Sequence, residues 1–496
     1  MTAHCMRIVQ QMNTLFGLRH SRRHTICVTL VCAFLGLTGG ATIAGQPVAS
    51  QSASFSVYLP LVTMPTTPLT NLPAITATYI GGADADELNG AGIAPDGTLI
   101  VAGVLPGYSP PGADLITLPG ATGGAVVRLS AAGSGVLSVL RFGSIVRDLE
   151  INTAGHLIVC GDGGIARLSA DAATVVWSAS PGNVARCAVG ADGTAAALTD
   201  KTVSVYDVYG ALIFSWTVDG TAANDLAIDS AREQVIVGGY TQISSNLQLP
   251  WMRAYAYNGA LRWRSYDFAA APGFGADSRI ERLTLGMDDN LYVAGSINGG
   301  VGASVFSRDP QDLSIPLGAR LVRHDPYSDS TNTGSVKIGW FGRFNPADGS
   351  LTLAQALLTR RVSDNRGNSV TIRAIAADAR GQVFLAGDAA CCIKNRDQQR
   401  VAGIAVGPYE IGEGYVAVIS ADFQQRLLWT TYAGPDRSGG SSAARALAVR
   451  DRQVLTVAKL NLDQTKPRSL ITINAMQPVP GGPAGAEGYL ILWRAP

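Results

Sequence analysis

Histidine is scarce in this chain. Five occur in 496 residues, and only His156 and His324 fall beyond residue 44. A histidine-rich metal centre or a serine–histidine–aspartate machine would have to rest on one of these two. Charge is sparse too: 15% of residues are charged and the formal net charge is +1. That balance removes the electrostatic case for nucleic acid or an anionic membrane surface as a partner. No phosphate-binding loop, HxxE-type cluster or glycine-rich nucleotide fingerprint in a strand-to-helix setting is present. No catalytic residue, cofactor or metal is expected from these motifs.

The apolar run ICVTLVCAFLGL (residues 26–37) falls short of the roughly 20 residues that span a bilayer. Arg19, Arg22 and Arg23 precede it, and small residues follow through Ala44, with Thr42 and Ala44 as a small-residue cleavage pair. Residues 1–44 therefore read as an export signal, and the product as secreted or cell-envelope associated, with no stable membrane span once the signal is removed. Residues 45–73 are rich in Ser, Thr and Pro and read as a spacer, with an apolar island at 57–62. Cys5, Cys27 and Cys32 leave with the signal, and Cys160, Cys187, Cys391 and Cys392 remain. An even count in an oxidising compartment makes all four disulfide candidates. Cys160 and Cys187 suit a bridge between neighbouring repeats, and Cys391 with Cys392 a vicinal bond, but four cysteines allow three connectivities.

Glycine, by contrast, is abundant at 57 residues, with 24 prolines, which suits many short strands joined by turns. Seven copies of a strand–turn–strand unit recur. They are GAGIAPDGTLIVAG (90–103), RDLEINTAGHLIVCG (147–161), ARCAVGADGTAAALTD (185–200) and NDLAIDSAREQVIVGG (224–239). The series continues with ERLTLGMDDNLYVAG (281–295), RAIAADARGQVFLAG (373–387) and RALAVRDRQVLTVAKL (445–460). Pairs such as Asp96-Gly97 and Arg380-Gly381 suit tight hairpins, where glycine supplies positive φ. A Trp recurs near the junction of the two strands that follow (Trp177, Trp216, Trp263, Trp429), a spacing that fits packing between blades better than a sugar platform.

The two ends of the chain complement each other. ITATYIGGAD (75–84) resembles the outer strand LWTTYAGPDR (428–437), whereas GYLILWRAP (488–496) resembles a third strand and ends there. The expected fold is all-β: a single seven-bladed propeller of four-stranded antiparallel blades over 74–496, its last blade completed by the N-terminal strand. The segments AIAADARGQVFLAG (374–387), TYIGG and TTYAG resemble the bacterial SBBP-type β-propeller repeats. That resemblance implies a secreted or surface propeller without assured enzymatic activity.

Insertions follow the second strand in the first, fifth and sixth copies (105–124, 308–337 and 391–414), so they emerge on one face and are expected to build a binding surface. Arg147, Arg186, Arg282, Arg373 and Arg445, with Asn89 and Asn224, lie at or within one residue of the start of the innermost strand. A ring of these side chains at the channel mouth would suit an anionic ligand, because guanidinium presents planar donors to carboxylate or phosphate. The expectation is an exported, monomeric, non-catalytic binding or scaffold module with an unknown protein or glycan partner. The alternative is a carboxylate-based hydrolase or lyase acting on an extracellular polymer. Asp84, Asp86 and Glu87 are its nearest carboxylates, with no partner evident in the sequence.

Overall fold

The computed structural model describes residues 71–329, 336–409, 411–434, 440–462, 469–482 and 485–495. The expected export signal and the apolar island at 57–62 lie outside the described residues.

Each repeat copy supplies the two inner strands of one sheet, and the next two strands finish it, giving seven four-stranded antiparallel blades in a ring. Blade 1 runs outward as Glu87–Ile93, Leu99–Val104, Gly124–Leu129 and Val136–Arg141. The innermost strands of blades 2 to 7 are Val146–Ile151, Arg186–Val189, Ala222–Asp229, Ser278–Leu285, Val370–Ala377 and Ser442–Arg450. Blade 7 contributes only three strands from the C-terminal end, and Ala74–Ile80 is its fourth. Ala77 lies opposite Ile491 and Tyr79 opposite Tyr489, so the ends of the chain close the ring as their resemblance to other strands implied. The seam is apolar: Ile80, Leu88, Leu99, Leu455 and Leu490 pack in one buried cluster spanning blades 7 and 1.

A bulge near the start of the innermost strand explains the repeated glycine. The register slips at Asn89, Arg147, Asn224, Glu281, Arg373 and Arg445, so one extra residue bows the strand. The bow brings a carbonyl against the end of the second strand. A Cβ on Gly103 would lie 1.8 Å from Glu87 O, and one on Gly387 would lie 1.9 Å from Thr371 O. The outer-strand tryptophans pack between blades. Trp177 Nε1 donates to Val208 O at 3.1 Å and Trp263 Nε1 to Pro346 O at 2.9 Å, each on the outer hairpin of the next blade.

The insertions have a use that the sequence did not reveal: much of their length covers outer edges. Asp114–Thr117 adds a parallel fifth strand to blade 1. Within the insertion of the sixth copy, Arg400–Val401 pairs with Asn71–Leu72, near the end of the expected spacer. A fourth insertion, absent from the sequence reading, follows the second strand of blade 7. Its Ile473 exchanges two backbone hydrogen bonds of 2.9 Å with Ala77, and Tyr79 N donates to Gln477 O. The closing strand is thus paired on both sides, which removes the exposed edge that invites association. Just before the insertion of the fifth copy, Phe306 stacks on Trp340 with ring centroids 4.2 Å apart.

Candidate functional site

Antiparallel meandering puts the loop after each second strand on the same face as the start of the innermost strand. The inserted face therefore carries the channel mouth where the Arg and Asn side chains were expected. A cavity of about 500 Å³ occupies the channel, within the range of small-ligand sites. Its wall carries Asn89, Arg147, Arg186, Arg282, Arg373 and Arg445, together with four carboxylates, Asp148, Glu150, Asp225 and Asp289. At the opposite mouth Arg450 donates to Ile93 O at 3.0 Å and Thr153 O at 2.7 Å, tying three blades together.

Most of the expected ring residues are committed to neighbouring blades. Asn89 Nδ2 donates to Val146 O at 3.1 Å and Asn224 Nδ2 to Ile280 O at 2.7 Å. Arg282 Nε donates to Arg373 O at 2.6 Å, and its Nη1 to Glu281 O at 2.7 Å. Arg186 reaches Arg147 O at 3.4 Å and stands 4.0 Å from Asp225 Oδ1. Arg147 Nε donates to Asn183 Oδ1 at 3.1 Å, and Arg373 pairs with Asp388. Arg445 differs. Among the described residues its buried Nε has no hydrogen-bond partner. Burial, then the nearby Arg373, holds its pKa below the usual arginine value.

The residues just past the bulge order these charges. In blades 2, 4 and 5 they are Asp148, Asp225 and Arg282, and in blade 3, whose inner pair is unbulged, Arg186 takes the equivalent place at the start of the strand, so the sign alternates from blade to blade. In blades 6, 7 and 1 they are Ala374, Ala446 and Gly90. Asp148 Oδ2 accepts from Cys187 N at 3.2 Å, and Asp225 Oδ2 accepts from Leu283 N at 2.9 Å, so each carboxylate also stitches its blade to the next. Burial raises Asp225 to about 6, against the pull of Arg282 and Arg186. Burial also raises Glu150 well above the usual carboxylate range, with Asp148 and Asp225 adding to it. On the opposite side of the ring small residues stand beside Arg373, which is paired with Asp388, and Arg445, which lines the cavity.

Cysteine placement separates into two cases. Cys391 and Cys392 are bonded to each other in the sixth insertion. Cys160 and Cys187 are buried free thiols facing one another across the interface of blades 2 and 3, where the sequence reading had allowed a bridge. Sequence reasoning also missed a buried pair away from the channel. A Cβ on Gly81 would lie 2.3 Å from Glu487 Oε1 and 2.5 Å from Asp86 Oδ2, so the two carboxyls converge there. The partner that Asp86 lacked in the sequence comes from the far end of the chain, at the start of the last strand. No family model and no curated protein matches the chain.

Proposed function

We propose that this chain is an exported, non-catalytic β-propeller of the SBBP-repeat type that holds a small carboxylate- or phosphate-bearing ligand at the channel mouth on the inserted face. Arg445 carries this reading: a partly buried guanidinium whose Nε lacks a partner among the described residues, beside Arg373 and the small wall residues Ala374 and Ala446. Two cations side by side in a confined site repel each other, and an anion between them removes that cost. Export is supported by the basic-then-apolar N-terminus, and the repeat likeness by the motifs it was drawn from. The hydrolase alternative needs a convergent carboxylate pair in the channel. The channel carboxylates Asp148, Glu150 and Asp225 each accept a backbone N–H from the next blade, from Cys187, Val189 and Leu283, and so are committed to holding the ring, while the Asp86–Glu487 pair is fully buried outside the channel wall.

Thermal denaturation of the purified protein with phosphate, citrate and oligogalacturonate tests the reading. A ligand at a hundred times its dissociation constant adds about 2.7 kcal/mol, which moves the midpoint of a domain this size by roughly 3 °C. The shift is expected to vanish in Arg373→Ala/Arg445→Ala. A shift retained in the double variant, or no shift with any anion, refutes it.

A further inference from the structure

We propose that Asp148, Cys160 and Cys187 form a binding site for a zinc-class divalent metal, reached from the channel. One ligand atom from each residue lies within 4.8 Å of the other two. Tetrahedral zinc with bonds of about 2.0–2.3 Å sets ligand atoms about 3.3–3.8 Å apart, so side-chain rotation of under an ångström or so closes the set. Two sulfurs and a carboxylate oxygen favour a borderline-soft ion and disfavour calcium or magnesium, which take all-oxygen shells.

Surrounding groups meet what such a centre requires. Asp148 is held in orientation by two backbone donors: Oδ1 accepts from Leu149 N at 3.0 Å and Oδ2 from Cys187 N at 3.2 Å, leaving lone pairs on both oxygens. The thiols sit in an apolar layer with Ile158, Ile165, Val184 and Tyr206, which shields a metal–sulfur centre from solvent. Asp148 itself lines the channel and is partly exposed, which supplies an entry path and a fourth position for water. Charge also closes. A divalent ion with two thiolates and one carboxylate carries one net negative charge, and Arg186, which interacts electrostatically with Asp148 and both sulfurs, offsets it. Uptake displaces the two thiol protons to solvent.

The test is titration of the reduced full-length protein with Co²⁺ and with Zn²⁺, followed by absorption and by metal content after gel filtration. One equivalent is expected to bind, with a thiolate-to-cobalt charge-transfer band in the near ultraviolet that Zn²⁺ abolishes. Asp148→Asn keeps both thiols and is expected to weaken Co²⁺ binding by about tenfold or more, at least what loss of an outer-shell partner costs. Cys160→Ser/Cys187→Ser is expected to lose the band, and Arg373→Ala/Arg445→Ala to keep it, which separates this site from the anion site. Absence of the band in the folded, reduced wild type overturns the proposal. So does a Cys160–Cys187 disulfide that persists in the isolated protein and re-forms in the presence of Zn²⁺.

Discussion

The Asp86–Glu487 pair makes this propeller less stable as pH rises through neutrality. Both carboxyls are fully buried at the seam where blade 7 meets blade 1, and Asp86 Oδ1 has no hydrogen-bond partner among the described residues. Burial, then Asp84, raises Asp86 to about 6 against the hydrogen bond from Gly82 N, and burial with help from Asp86 raises Glu487 to about 7. Each folded value exceeds its unfolded one, so the folded state binds protons more tightly. Stability is therefore full below the unfolded pKa near 4 and is lost as pH passes the folded values. Between pH 5 and 8 the loss is about 4 kcal/mol if the two titrate independently, and roughly 2 kcal/mol if they share one proton. His156 and His324, both held below the usual histidine value by burial, act in the opposite sense across part of that window. Comparing the wild type with Asp86→Asn/Glu487→Gln cancels them. The assay is chemical denaturation of both proteins at half-unit steps from pH 5 to 8. The difference in unfolding free energy should swing toward the variant as pH rises. A difference that stays flat within about 0.5 kcal/mol would refute the reasoning.

Two structural predictions accompany it. Gly387→Ala drives a Cβ into Thr371 O and is expected to cost roughly 3 kcal/mol, a fall of about 3 °C in midpoint, whereas Ala458→Gly, at the same register in blade 7, only removes a buried methyl and should cost about 1–2 kcal/mol. An unchanged midpoint for Gly387→Ala would show that the bulge yields. Thr78→Pro removes a ladder donor from the closing strand, where Thr78 lies opposite Leu490, at a cost on the order of 3 kcal/mol. It should open residues 74–80 to limited proteolysis before the rest of the domain; equal resistance to that of the wild type would remove the closing role given to this strand.

The period, the blade count and the closure were legible in the sequence because each rests on local pattern. The hairpin glycines, the alternating apolar strands and the matching ends are properties of short windows. The Arg and Asn positions were legible for the same reason, since all of them fall at one point of the repeat. Their partners were not. Asn224 reaches Ile280 O across 56 residues and Arg282 reaches Arg373 O across 91, distances over which no window carries information. The insertion in blade 7 escaped notice because its strand-like contacts are made with a segment near the other end of the chain. Asp148 and Asp225 were readable in principle. Aligning the copies on the residue after the bulge, rather than on the bulge itself, exposes the alternation of sign. Cys160 and Cys187 were correctly placed in adjacent blades, but reading them as a bridge passed over the carboxylate that stands beside them.

The odd number of blades bears on where a ligand sits. Four consecutive blades alternate acid and base at this position near the start of the innermost strand, and each charge there meets an opposite charge or a backbone group on a neighbour. Such alternation cannot close around seven positions, because the seventh would face a like charge. The chain meets this by placing Ala374, Ala446 and Gly90 at the remaining three, which ends the alternation with Arg282 at one end and Asp148 at the other. Removing side chains there also removes the carboxylates that would have answered Arg373 and Arg445 from within the ring. Arg373 turns to Asp388 on the second strand of its own blade, and Arg445 keeps an Nε unanswered among the described residues. The anion of the proposed function would thus sit off-axis, toward blades 6, 7 and 1. Filling the gap with Ala446→Asp would complete Arg445's pairing internally and should abolish anion binding as effectively as removing the guanidinium.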